Sequence, residues 1–207
     1  MEAQVVEELL ARYPDLRMSY EEFLTSGHDV HGDWVDGQVR LIGSDTTEHN
    51  RIVGFLVTLF ILFEEERGGG KVLSRFQMRP RPDLPSREVD LLVLKEENRG
   101  RMREYFVDGP ADLVIEVVMD ESRALDTVDK VREYAQGGVG EYWVIDPDVE
   151  QATVYRLGED GSYEAQPLGE PPCLRSEVMP GMWIDPAWLW TDDRPLLMPV
   201  LKLWGLI

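Results

Sequence analysis

The runs Val89-Asp90-Leu91-Leu92-Val93-Leu94 and Ala111-Asp112-Leu113-Val114-Ile115-Glu116-Val117-Val118, followed by Asp126-Thr127-Val128-Asp129-Lys130, decide the reading of this chain. Short apolar runs rich in Val, Ile and Leu read as buried strands, and the third stretch reads as part of a helix. A carboxylate on a buried strand is costly unless it is paired or holds a cation. Two of them on consecutive strands, Asp90 and Glu116, therefore suggest a divalent-cation site.

Around this centre the chain reads as alternating strands and helices. Downstream, Leu125 to Ala135 predicts an amphipathic helix with Leu125, Val128 and Val131 on one face and Gly137-Gly138 as its stop. Glu141-Tyr142-Trp143-Val144-Ile145 returns as a strand, and Asp146-Pro147 turns it. Strand, helix, strand is a βαβ unit and implies a parallel pairing. Thr153–Leu157 and Ser162–Gln166 form a hairpin across Gly158–Gly161, and Pro180–Ile184 reads as a further edge strand.

Upstream, Lys71 to Met78 predicts a strand and Arg79 to Ser86 a Pro-rich loop. Thr46 or Thr47 can cap a long helix that ends at Gly68-Gly69-Gly70. Its middle, Ile52 to Phe63, is apolar nearly all round and so should lie across a sheet. Earlier still, Asp36-Gly37 between alternating residues is a hairpin signal. Ser19-Tyr20-Glu21-Glu22 is a capping box opening a short helix, and Glu2 to Tyr13 has the spacing of another. His28 and His31, flanking Asp29 and Asp33, look like a metal cluster, but a turn explains them equally well.

At 207 residues and 43% hydrophobic, the chain can bury one substantial core. The expected organisation is an N-terminal helical extension over 1–17, a single domain over 18–190 and an apolar tail over 191–207. That tail, with Leu196, Leu197, Met198, Val200, Leu201, Leu203, Trp204, Leu206 and Ile207, should dock on its own domain or pack against a second copy as a homodimer. One cysteine, Cys173, excludes an intramolecular disulfide and a cysteine zinc cluster, which fits a reducing cytoplasm. Glu2, Glu7 and Glu8 interrupt anything like a signal peptide, and the 12 residues Ile52 to Phe63 are too few to span a bilayer. The expectation is a cytoplasmic protein with no membrane partner.

The net charge of −19 argues against a protein that coats nucleic acid non-specifically. Between Arg67 and Arg103, however, 10 Lys and Arg face 5 acids, so the only cationic segment surrounds Asp90. An anionic substrate would dock there. A solvated face that merely balances an acidic shell explains the same segment.

Asp90, Glu116 and Lys130 stand in the order of the PD-(D/E)XK nuclease core, and the wider pattern resembles the Uma2 family, also known as DUF820, a restriction-endonuclease-like family. The motifs are Asp33-Trp34-Val35-Asp36-Gly37-Gln38, His49 opening the long helix, Val89-Asp90-Leu91-Leu92-Val93, and Asp112-Leu113-Val114-Ile115-Glu116-Val117. Asp126 with Lys130 and Tyr134, the run Gly138 to Pro147, and Pro180-Gly181-Met182 complete them. The resemblance covers roughly Met18 to Trp190, and Glu141-Tyr142-Trp143 with Asp146-Pro147 is its most specific part.

The resemblance implies a mixed β-sheet flanked by helices, an α/β fold with α+β character. It implies an endonuclease that hydrolyses DNA phosphodiesters with Mg²⁺ or Mn²⁺. Asp90 and Glu116 would hold the metal with the Val117 carbonyl, and Lys130 would act as base or electrostatic stabiliser, with His49, Asp126 and Tyr134 as accessory residues. Hard oxygens suit Mg²⁺, and a lysine stabilises developing negative charge. The chain departs from the pattern at Val89, where a proline is usual, at Val118, where a lysine is expected, and at Met119-Asp120-Glu121-Ser122, where Ser-Pro is common. Two other readings stay open: a non-catalytic nuclease-fold assembly or binding module, favoured by the acidic charge, and hydrolysis of a small phosphoester.

Overall fold

The computed structural model describes residues 16–25 and 32–207. The expected helix at Glu2–Tyr13, and Gly27, His28, Asp29 and His31, lie outside them. Helix α1 (Tyr20–Thr25) opens with the capping box read from sequence: the Ser19 N–H donates to Glu22 Oε2 at 2.8 Å and the Glu22 N–H to Ser19 Oγ at 3.2 Å. Strands β1 (Gly32–Val35) and β2 (Gln38–Leu41) form the hairpin, with Asp36 and Gly37 at φ 50° and 84°. Positive φ at both turn residues matches the right-handed twist of the strands it joins.

Helix α2 (Thr47–Arg67) is capped by Thr46, whose side chain accepts from the His49 N–H. It leads into β3 (Lys71–Arg79), β4 (Arg87–Leu94), an exposed 3-10 turn over Glu96–Arg101, β5 (Phe106–Asp108) and β6 (Leu113–Val117). Helix α3 (Lys130–Gly137), β7 (Glu141–Asp146), β8 (Gln151–Leu157) and β9 (Tyr163–Gln166) follow. The strands form one seven-stranded mixed sheet in the order β5-β3-β4-β6-β7-β8-β9, with β6 in the middle and β6–β7 parallel across α3. The fold class and the βαβ unit expected from sequence are both present.

Each face of the sheet is covered. Leu91, Val93, Leu113, Ile115, Val117 and Trp143 pack under Ile52, Leu56, Leu59, Phe60 and Phe63 of α2. Leu92, Leu94, Val114, Val118, Tyr142 and Val144 pack with Tyr134 of α3 on the other face. Among the described residues, no helix is long and apolar enough to cross a membrane.

Two expectations need correction. Trp183–Ile184 (β11) does not join the main sheet but pairs with Leu174–Arg175 (β10) as a separate two-stranded ribbon. A buried carboxylate holds that ribbon in place: Glu141 accepts from the Glu177 N–H at 2.9 Å and from Trp143 Nε1 at 2.7 Å. Helix α3 differs as well. Residues 125–129 form a π turn, in which the Lys130 N–H reaches back to Leu125 O, and Val128 is exposed. The extra residue rotates Asp126, Lys130 and Tyr134 inward, so the helix buries its polar stripe rather than Leu125, Val128 and Val131 as a set.

The tail forms helix α4 (Leu197–Leu203), and docking on its own domain accounts for Val200, Leu201 and Trp204. Trp204 meets Phe63 edge-on at 5.7 Å between ring centroids. Leu196, Met198, Leu203 and Ile207 stay exposed.

Candidate active site

The ladder between β4 and β6 ends at Leu91↔Ile115. One step further, the register would set Asp90 directly opposite Glu116. There the side chains replace the ladder: the Val117 N–H donates to Asp90 Oδ2 at 2.7 Å, and the Asp90 N–H approaches Glu116 Oε2 at 3.4 Å. Each carboxylate thus satisfies a backbone donor of the opposite strand, which fixes both where the strands diverge.

Glu116 is 3% exposed and points to the α3 face. Its Oε1 receives Lys130 Nζ at 2.9 Å and the Tyr134 hydroxyl at 2.8 Å. Lys130 Nζ also lies 2.8 Å from Asp126 Oδ1, one helical turn earlier. Asp126 is itself held by the Ser122 hydroxyl. Its backbone carbonyl accepts from Tyr142 at 2.9 Å. From the other face, His49 in the first turn of α2 brings Nε2 to 3.2 Å from Asp90 Oδ2. The seven residues singled out from sequence, His49, Asp90, Glu116, Val117, Asp126, Lys130 and Tyr134, are joined here by a chain of pairwise contacts, Val117 through its N–H rather than through the carbonyl expected from sequence.

The electrostatics follow from burial and from the excess of carboxylates. Burial drives the Glu116 carboxyl up, and neighbouring Asp90 and Asp126 add to this, so that it reaches about 8 in spite of Lys130. Burial opposes charge on Lys130 too, but Glu116 and Asp126 outweigh it and hold the ammonium well above its ordinary range. Lys130 is therefore a fixed cation. Burial depresses His49, and Asp90, Asp45 and Glu116 reverse that into a net rise. The Tyr134 and Tyr142 hydroxyls are pushed up by burial and stay protonated.

A profile of the Uma2 family, described as a putative restriction endonuclease, matches residues 18–187. The chain belongs to the Uma2 family. Among solved structures, a putative nuclease belonging to DUF820 from Anabaena variabilis ATCC 29413 shares the fold with a TM-score of 0.66. That likeness covers 84% of this chain and 97% of the other at 15% identity, a level that speaks for the fold alone. No curated protein matches the chain.

Several Uma2 motif residues prove to be architectural. Asp33 and Glu133 clasp Arg87, with Arg87 Nη1 2.7 Å from Asp33 Oδ2 and Nη2 2.7 Å from Glu133 Oε1. This buried network ties the hairpin to β4, which carries Asp90, and to α3, which carries Lys130. The Glu141-Tyr142-Trp143 run supplies the clip for the ribbon, the tyrosine at Asp126 and a core indole. The acidic run after β6 is partly neutralised by Arg123, which bonds Asp120 at 3.1 Å and also reaches Asp146 and Asp148. Sequence reasoning missed Ser122 and Tyr142 as supports of Asp126, because neither spacing nor composition marks such partners.

Proposed function

We propose that this Uma2 chain is a divalent-cation-dependent endonuclease that hydrolyses DNA phosphodiester bonds at Asp90, Glu116 and Lys130. The observation that carries this reading is their convergence: two carboxylates from adjacent strands at the end of a ladder, with a buried ammonium 2.9 Å from one of them.

The residues present fit a divalent cation. Asp90, Glu116 and Asp126 bring three carboxyl groups against one fixed cation, Lys130, so negative charge is in excess once Glu116 ionises. No three His, Cys, Asp or Glu side chains among the described residues converge as a metal cluster. Asp90 and Glu116 would thus hold Mg²⁺ or Mn²⁺ with the Val117 carbonyl, leaving places for water and substrate oxygens, as is usual for Mg²⁺. Such an ion, when bound, neutralises phosphoryl charge and makes its water more acidic.

The protein's own groups do the rest. Lys130, locked in its charged form, serves as an electrostatic stabiliser and hydrogen-bond donor rather than as the base. Tyr134 and Asp126 fix the positions of Glu116 and Lys130, and His49 steadies Asp90. The carboxyl of Glu116, raised to about 8, would hold a cation in its ionised form.

Supercoiled plasmid incubated with Mg²⁺ or Mn²⁺ tests the reading. The expected result is nicking that chelator stops and that Asp90→Asn removes. Wild-type protein that cleaves neither DNA nor RNA with either ion would reject it in favour of the non-catalytic module. The exposed residues of α4 support a homodimer as the working state, and sedimentation of a monomer at micromolar concentration would exclude that.

A further inference from the structure

The row of residues that crosses the sheet at the site does not stop at Asp90 and Glu116. In the β3–β4 ladder Ser74 pairs with Leu91 and Phe76 with Val89, so Arg75 lies opposite Asp90. That pair is missing from an otherwise unbroken ladder, although no residue is inserted on either strand. The cause is the Arg75 backbone, at φ 49° in the middle of a strand. A side-chain-bearing residue rarely adopts this conformation.

The kink also reverses the strand. Val72 faces the α2 side of the sheet, whereas Met78 and, at its edge, Phe76 belong to the α3 side, although even spacings along a regular strand keep one face. On β4 the same reversal separates Val89, on the α3 side, from Leu91, on the α2 side. The two strands change faces together, at the row that holds Arg75, Asp90 and Glu116. Backbone strain of this kind persists where surrounding structure enforces it and gathers at functional sites.

The kink delivers a half-exposed guanidinium to the mouth of the site. Arg75 Nη1 rests on Asp45 Oδ2 at 2.5 Å, and Nε lies 3.7 Å from Glu88 Oε1. Asp45 is the residue whose Oδ1 stands 3.9 Å from His49 Nδ1. A chain of contacts therefore runs from Arg75 through Asp45 and His49 to Asp90. Two carboxylates orient the guanidinium while leaving it open to solvent. A planar fork of donors suits a phosphate bidentately.

We infer that Arg75 is the phosphate clamp of this site, binding a backbone phosphate of the polynucleotide beside the one that a cation at Asp90 and Glu116 would hold. This rests on the reading proposed above and names the contact that draws an anionic chain onto an acidic protein. The kinked backbone supplies the test, because glycine takes φ 49° without strain. Arg75→Gly removes the guanidinium while keeping the strand path, and Arg75→Lys keeps the charge without the fork.

Binding of a fluorescein-labelled duplex DNA is followed by anisotropy over a range of salt, in chelator, so that neither cation binding nor cleavage enters. The clamp predicts that Arg75→Gly weakens binding about 10-fold and lowers the slope of log affinity against log salt by about 0.9, the share of one phosphate. Arg75→Lys should recover most of the slope and only part of the affinity, and Arg75→Gly should keep the wild-type circular-dichroism spectrum. Equal affinity and slope for wild type and Arg75→Gly would overturn the clamp, as would a wild type that binds no DNA. Mn²⁺ titration of both proteins separates the two readings: unchanged binding leaves the cation site standing if the clamp fails, and absent binding in wild type strikes the cation site alone.

Discussion

Glu116→Gln is expected to abolish Mn²⁺ binding and to lower cleavage by about 10³-fold or more, the equivalent of roughly 4 kcal/mol of transition-state stabilisation, while the fold survives. The amide keeps the shape and can still accept from Tyr134, which donates to Glu116 Oε1 at 2.8 Å. What it removes is a carboxyl raised to about 8 by burial and by neighbouring acids. The folded chain holds this proton, whereas the unfolded chain releases it in the ordinary carboxylate range. The contribution to stability is therefore fully present below that range and is lost as pH rises through about 8.

Without metal, wild-type stability should fall with rising pH across that window by up to about 1.4 kcal/mol per pH unit. His49, also raised, adds to the same trend near its own range. Glu116→Gln should flatten most of the slope. Calorimetric melting at a series of pH values in chelator, paired with Mn²⁺ titration, checks both halves. A variant that still binds Mn²⁺ like wild type would remove Glu116 from the site, and an unchanged pH slope would refute its raised proton affinity.

Lys130→Met should cost stability as well as activity. Lys130 is buried and lies within 2.9 Å of Glu116 and 2.8 Å of Asp126. Its loss leaves two buried acids with no cation between them. Breaking a buried pair in this way costs about 3–5 kcal/mol. The loss should be smaller at pH 6 than at pH 9.5, because Lys130 opposes the rise of the Glu116 carboxyl to about 8, and only above that value does the wild type gain from an ionised Glu116 that the variant cannot compensate. The double variant Lys130→Met with Glu116→Gln should recover much of it, since it removes both partners. Denaturant unfolding at the two pH values measures this, and a loss under about 1 kcal/mol at both would show that the triad is not the buried charge centre described. Cleavage by Lys130→Met should fall about 10²–10³-fold.

Much of the fold was legible because its signals are local. Ser19 and Glu22 close a capping box within one turn, Asp36-Gly37 meets the φ demands of a two-residue hairpin, and Thr46 caps α2. Apolar runs at Val89–Leu94 and Leu113–Val118 read as central strands because only a strand covered on both faces tolerates such continuity. Charge at Asp90 and Glu116 was legible for the same reason, since within those runs it has to be compensated, whereas His49, Asp126 and Tyr134 were marked by the resemblance to the family.

What the sequence by itself determined, then, is the order and type of the elements and the identity of the charged groups that must meet. Only the tertiary structure decided which face of α3 is buried. Hydrophobicity favoured Leu125, Val128 and Val131, but the carboxylate of Glu116 offered Lys130 a partner across 14 residues of sequence, and a π turn rotated the polar stripe inward. The ribbon position was likewise decided at a distance, by Glu141 accepting from the Glu177 N–H. The kink at Arg75 left no mark in the sequence, since arginine has no preference for positive φ. It is enforced by strand pairing on either side and by Asp45, 30 residues away, because backbone strain is set by the sum of non-local contacts rather than by the residue that bears it.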